Sequence, residues 1–344
     1  MNKVPVRVDG RFRLGDVLGS GLYAIVYSAW NIINDDRVAL KLETIVSRPS
    51  SVEREYHILK QLEGGIGIPH TLWFGRESVY HALVLELLGP LLHQLFLANG
   101  RKFSLLHVVN IGDQLLSRLE YIHSHNYVHG DIKPQNILMG LGNLRHTTFI
   151  INFGITKTYW NTTTGDHVPF RHGQSLSGTP AFTSINNHLG VEPGHCDNLE
   201  SLTYMLIYFL RGSLPWLTSD NEKLSGSTIL KQKARVTIAD ISQDIPVEFA
   251  TILIYTRSLA FAEDPDYDHL RSLLHGLHTS LPAPATSMLD FGLLSDPAIH
   301  PPDQCCVAKA IPPCLLKATH RSTCVLCPRN GSPWHAASTP QWKQ

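Results

Sequence analysis

The sequence predicts an α+β protein of two unequal parts, a small β-rich part with one helix and a larger, mainly helical part. Three observations predict it. Residues 11–88 carry short alternating or β-branched runs broken by a glycine turn. Residues 91–280 carry apolar residues at helical spacing. Near Pro282 that periodicity stops, and Pro, Ala, Ser and Cys replace it. The expected organisation is therefore 1–88, 89–280, and a disordered tail over 281–344 that lacks the patterned hydrophobics of a core.

Taken in order, strands are expected at 12–18, 24–30 and 37–43, with Gly19-Ser20-Gly21 turning the chain between the first two. In the third strand, alternation sends Val38, Leu40 and Leu42 to one face and Ala39, Lys41 and Glu43 to the other. A helix is expected over 52–62. Its Val52, Glu55, Leu59 and Leu62 share one side, which sets a carboxylate inside an apolar stripe. A charge there needs a partner. Further on, Val108, Ile111, Leu115, Leu119 and Ile122 mark one helix face. Residues 199–210 are apolar nearly all round, which predicts a helix buried at the centre of the larger part.

Composition excludes several function classes. At 344 residues the chain has material for two cores. Its formal net charge is zero, so neither nucleic acid nor an anionic membrane is expected as a bulk partner. The first nine residues hold no apolar signal-peptide core, and the apolar run at 202–210 is too short to span a bilayer. Five of the six cysteines, Cys305, Cys306, Cys314, Cys324 and Cys327, lie beyond residue 300. That argues against a disulfide framework and for a reducing, intracellular setting in cytoplasm or nucleus. A monomer is expected. Cys324 and Cys327 have zinc-ligand spacing but lack a second pair, and Cys305-Cys306 lacks the second signal that stable acyl anchoring needs.

The runs that carry chemistry follow a fixed order. Leu18-Gly19-Ser20-Gly21-Leu22-Tyr23-Ala24-Ile25-Val26-Tyr27 lies between two strands, where backbone N–H groups can approach phosphates; by itself it also reads as a flexible hairpin turn. Val38-Ala39-Leu40-Lys41 follows, and Lys41 alone reads as a solvated strand lysine. Then come Leu85-Glu86-Leu87-Leu88-Gly89-Pro90, His129-Gly130-Asp131-Ile132-Lys133-Pro134-Gln135-Asn136 and Asn152-Phe153-Gly154. Together these resemble the motif set of eukaryotic protein kinases.

The resemblance implies a bilobal kinase fold, ATP with magnesium or manganese as cofactors, and a protein substrate or binding partner. It implies that Gly19, Gly21 and Val26 cover the nucleotide and that Ala39 and Leu138 line its adenine pocket. Lys41 is implied to reach the α- and β-phosphates while paired with Glu55, and Leu85 to act as gatekeeper. The backbone of Glu86 and Leu88 is implied to bind the adenine edge. Asp131 is implied to orient the substrate hydroxyl, Lys133 to steady the transferring phosphate, and Asn136 and Asn152 to hold metal. Kinases have Asp where this chain has Asn152. An amide keeps one carbonyl oxygen but no charge, and magnesium favours anionic oxygen. A loss of about 4 kcal/mol of transition-state stabilisation slows the reaction about a thousandfold.

Within the kinases, Gly64-Gly65-Ile66-Gly67-Ile68-Pro69, Glu86-Leu87-Leu88-Gly89-Pro90, Tyr121-Ile122-His123-Ser124, Ser184-Ile185-Asn186 and Phe209-Leu210-Arg211-Gly212-Ser213-Leu214-Pro215-Trp216 resemble casein kinase 1 over residues 11–278. Ser-Ile-Asn stands where most kinases have Ala-Pro-Glu. The departures surround one cleft. Ala24 replaces the third loop glycine and narrows its backbone options, and Gly130 replaces an Arg, so regulation by loop phosphorylation is not expected. Ala181 replaces the Arg that reads substrate phosphate, and Asn198 replaces the Asp that braces the catalytic loop. Two functions remain open: a weakened Ser/Thr kinase, or a pseudokinase that keeps the fold and binds.

Overall fold

The computed structural model describes residues 4–45, 49–217 and 224–280. The expected tail over 281–344 and its five cysteines lie outside the described residues. The first lobe holds one antiparallel sheet of β1 (Arg7–Val8), β2 (Phe12–Ser20), β3 (Ala24–Asn31), β4 (Asp36–Thr44), β5 (Thr71–Glu77) and β6 (Tyr80–Glu86), in the order β1-β2-β3-β4-β6-β5. Alternation on β4 is as expected. Val38, Leu40 and Leu42 are buried in a small cluster with Phe12, Ala29, Ala82 and Val84. The other face of the sheet carries the row Val26, Lys41, Leu83 and, beside it, Ser28, Ala39, Leu85, each set directly opposed across β3, β4 and β6.

Helix α1 (Ser51–Gln61) starts one residue before the expected position, because Ser50 caps it by accepting the Glu53 N–H at 3.0 Å. Its buried residues Val52, Glu55, Ile58 and Leu59 form the predicted stripe. Glu43 fixes where this helix sits. It is buried at the end of β4 and accepts from Ser50 Oγ at 2.6 Å, Ser51 Oγ at 3.1 Å and the Val52 N–H at 3.0 Å. One carboxylate so satisfied ties strand to helix.

The second lobe contains α2 (Leu92–Ala98), α3 (Leu105–Ser124), β7 (Tyr127–Val128), β8 (Ile137–Met139), β9 (Thr148–Ile150), β10 (Lys157–Thr158), β11 (Trp160–Asn161) and β12 (Asp166–His167). These are followed by α4 (Ile185–His188), α5 (His195–Arg211), α6 (Gly226–Arg235), α7 (Ile238–Ile241), α8 (Val247–Ser258) and α9 (Tyr267–Ser280). Helix α5 is buried from His195 to Leu210, as its all-round apolarity predicts. Strands β7 to β12 form two-stranded pairs, β7 with β10, β8 with β9 and β11 with β12. Elements of two or three residues carry too little alternation to be read from sequence. Behind the cleft the lobes touch through polar contacts, Tyr121 Oη donating to Leu62 O at 3.3 Å and Tyr127 Oη to Gln61 Oε1 at 3.2 Å. Among the described residues no helix is long and apolar enough to cross a membrane.

Candidate active site

The site forms where the β4 face meets the loops around β8 and β9. Lys41 Nζ lies 2.5 Å from Glu55 Oε2, and the Glu55 side chain is 2% exposed. The carboxylate stranded in the apolar stripe of α1 has therefore found its cation. Its other oxygen accepts the Phe153 N–H at 3.2 Å. Lys41 also donates to Asn152 Oδ1 at 3.0 Å. Asn152 Nδ2 donates to Asn136 Oδ1 at 2.7 Å, and Asn136 Nδ2 donates to Asp131 O at 2.7 Å and Asp131 Oδ2 at 3.0 Å. Asp131 Oδ2 is 2.7 Å from Lys133 Nζ. Six of the residues singled out in the sequence thus make one continuous chain, Glu55, Lys41, Asn152, Asn136, Asp131, Lys133.

Thr179 completes it. Its N–H donates to Asp131 Oδ1 at 2.8 Å, and its hydroxyl accepts from Lys133 Nζ at 2.6 Å. The preceding Gly178 has φ +78°, and a Cβ there would meet Gly130 O at 2.5 Å. Glycine is what lets the two loops approach. A carboxylate has about four lone-pair sites. Thr179, Lys133 and Asn136 occupy part of that capacity, and the rest remains for a substrate hydroxyl.

The loop over 129–136 is held from beneath by His129, Asn198 and His123. His129 is fully buried; its Nδ1 accepts the Asp131 N–H at 3.2 Å and its Nε2 contacts Ile151 O at 3.0 Å. Burial holds its pKa below the ordinary histidine value, which suits a neutral ring that accepts at Nδ1 and donates from Nε2. Gly130 has φ +83°, and its N–H donates to Asn198 Oδ1 at 3.0 Å. Asn198 on α5 therefore keeps the brace expected of an Asp at that position. Its Nδ2 lies 2.9 Å from His123 Nε2, whose other nitrogen bonds the Tyr267 hydroxyl. Burial, then the neighbouring His195 and His129, holds His123 well below its usual pKa.

The remaining positions lie toward the front of the cleft. Val26 opposes Lys41, and Ala39 opposes Leu85. Glu86 ends β6, and the half-buried Leu88 follows it. The Leu88 N–H has no hydrogen-bond partner among the described residues. Leu138 on β8 bridges Leu91 just past that turn. Gly19, the last residue but one of β2, has open space where a Cβ would be, and Gly21 donates its N–H to Ala24 O at 2.8 Å. Ala24 corrects one expectation. It is the first residue of β3, buried and extended, so its methyl restricts nothing that the strand has not already restricted.

A model of the protein kinase domain matches residues 12–279. The chain belongs to the protein kinase domain family. Such domains use ATP and a divalent metal ion, and the fit of this domain to a metal can be tested on its own atoms. Among the described residues no three His, Cys, Asp or Glu side chains converge as a metal site. Both amide oxygens expected to hold metal, Asn136 Oδ1 and Asn152 Oδ1, already accept from nitrogen donors. As arranged, the pair does not fit a hard divalent cation.

One buried charged side chain of this kinase domain carries no sequence signal. Lys233 of α6 is 1% exposed and donates to Pro180 O at 3.0 Å and Thr183 O at 2.5 Å, beneath the segment that carries Thr179. Its ammonium lies 4.7 Å from the Tyr204 ring centre and 5.0 Å from that of Trp216. Burial lowers its pKa to about 7.

Proposed function

We infer that this protein is an ATP-binding kinase of the casein kinase 1 type whose transfer of phosphate to Ser or Thr hydroxyls is weakened. The observation that carries the reading is the unbroken chain from the buried Lys41–Glu55 pair to Asp131, Lys133 and Thr179. Lys41 and Lys133 supply positive charge at its two ends. Asp131, turned by Thr179 and Asn136, accepts and orients the substrate hydroxyl while Lys133 steadies the transferring group. The hinge at Glu86 and Leu88 receives the adenine edge, Leu85 and Ala39 bound it, and Gly19, Gly21 and Val26 cover the phosphates. Asn152 brings no negative charge to this chemistry, which is the source of the weakness.

Ala181 places no cation beside the substrate, and its carbonyl is taken by Trp216 Nε1 at 2.7 Å. A preference for phosphorylated or acidic substrates is therefore not part of this reading. A second reading, a pseudokinase that binds nucleotide or protein without useful catalysis, is favoured by one observation, the hydrogen bond that ties Asn152 to Asn136. Phosphotransfer to a casein-like substrate separates the two. For a weakened enzyme, Asn152→Asp raises the rate at least about tenfold, about 1.4 kcal/mol of barrier, and Asp131→Asn abolishes it. If Asn152→Asp recovers nothing while ATP still binds, the binding-module reading stands.

A further inference from the structure

The orientations of the two amides follow from their neighbours. Lys41 Nζ is a donor without a lone pair, so the Asn152 atom facing it must be the oxygen. Asn136 faces the Asp131 carbonyl and carboxylate, which only accept, so its nitrogen points there and its oxygen points away. What meets that oxygen at 2.7 Å is the Asn152 nitrogen. An Asp at position 152 would set oxygen against oxygen, a gap that is stable only with a cation in it. Asn152 fills the same gap with an N–H.

The charges agree with the geometry. Glu55 and Asp131 are balanced by Lys41 and Lys133, so the chain is neutral as it stands. A divalent cation entering it meets two ammonium groups and no unpaired carboxylate. It must also break the Asn152–Asn136 bond to reach two neutral oxygens, against magnesium's preference for anionic ones. Asn152 Nδ2 has a second N–H, which has no partner among the described residues.

We propose that this cleft binds ATP without a divalent cation, the free N–H of Asn152 and the Lys41 ammonium contacting phosphate oxygens where other kinases interpose metal. The proposal rests on the nucleotide binding inferred above and fixes its ionic form. Free ATP, not its magnesium complex, is the ligand, so magnesium in solution competes with the protein for it.

The test is a fluorescence titration of the full-length wild-type protein with mant-ATP, in excess EDTA and in millimolar magnesium chloride. The expected affinity in EDTA exceeds that in magnesium, because magnesium withdraws free nucleotide. Asn152→Asp reverses the order, binding at least about tenfold more tightly with magnesium than with EDTA. Wild-type binding that is as strong or stronger with magnesium overturns the proposal and leaves nucleotide binding intact. Absence of binding in both buffers overturns the nucleotide reading itself, and this inference with it. A thermal melt verifies that Asn152→Asp is folded; if it is not, the wild-type comparison alone decides.

Discussion

Lys41 holds a carboxylate on one side and an amide on the other, and the two sides of the cleft differ in the same way. Toward α1 the polar groups are ions. Glu55 is buried, paired with Lys41 and satisfied by the Phe153 N–H. Toward α5, two positions hold amides, Asn152 against Asn136 and Asn198 against Gly130. Both sides are hydrogen-bonded, but Glu55 carries charge where Asn152 and Asn198 carry none. The difference teaches that scaffold and chemistry have separate requirements. An amide oxygen braces a loop nearly as well as a carboxylate does, but it cannot answer a cation or a developing charge.

The comparison breaks most easily at the charged side. Lys41→Met leaves Glu55 buried without its cation, an expected cost of about 3–5 kcal/mol together with loss of nucleotide binding. Thermal unfolding and mant-ATP titration measure the two effects, and a stability loss below about 1 kcal/mol contradicts the reading. The amide side gives less. Asn198→Ala strips the Gly130 N–H of its acceptor and His123 of its donor, an expected loss of about 1–3 kcal/mol in urea denaturation. Asn198→Asp keeps the Gly130 bond, and His123 meets the new oxygen by moving its ring proton to Nε2. It is expected to lie closer to wild type than to Asn198→Ala.

The smallest effect is a dependence on pH. Lys233 has its folded pKa lowered by burial to about 7, from 10.5. Between these values the unfolded chain binds more protons than the folded one, so Lys233 makes stability rise with pH. The slope cannot exceed about 1.4 kcal/mol per pH unit for a single proton. Melting temperatures of wild type and Lys233→Met at pH 7, 8 and 9 test this (~1 unit steps across the window). The wild type gains more on going up, and equal slopes rule out Lys233 as the source.

Much of this was legible in the chain. The carboxylate in the stripe of α1 showed that Glu55 needs a partner, and the kinase resemblance supplied Lys41. All-round apolarity identified α5. What remained hidden depends on direction rather than on residue type. Sequence shows that Asn152 lacks a charge; only its neighbours show which way its amide turns. Ala24 looked like a damaged loop glycine, yet its position needs no left-handed backbone. Lys233 sits among Lys231, Gln232 and Arg235 and reads as a solvated face, but carbonyls from a segment some fifty residues earlier draw it inside.

The polar contacts at the back of the cleft have a mechanical consequence. Lys41 to Asn152, Glu55 to Phe153, Tyr121 to Leu62 and Tyr127 to Gln61 all join the first lobe to the second, in addition to the chain's own passage through the turn at Glu86 and Leu88. They act as a latch. Swinging the lobes apart about that turn means breaking them together, whereas the strand tip at Leu22, 86% exposed, lifts without disturbing any of them. The easier way in and out for a nucleotide is therefore beneath this tip, with the jaws still shut, and its rate of escape is governed by a few residues of hairpin rather than by motion of the whole lobe.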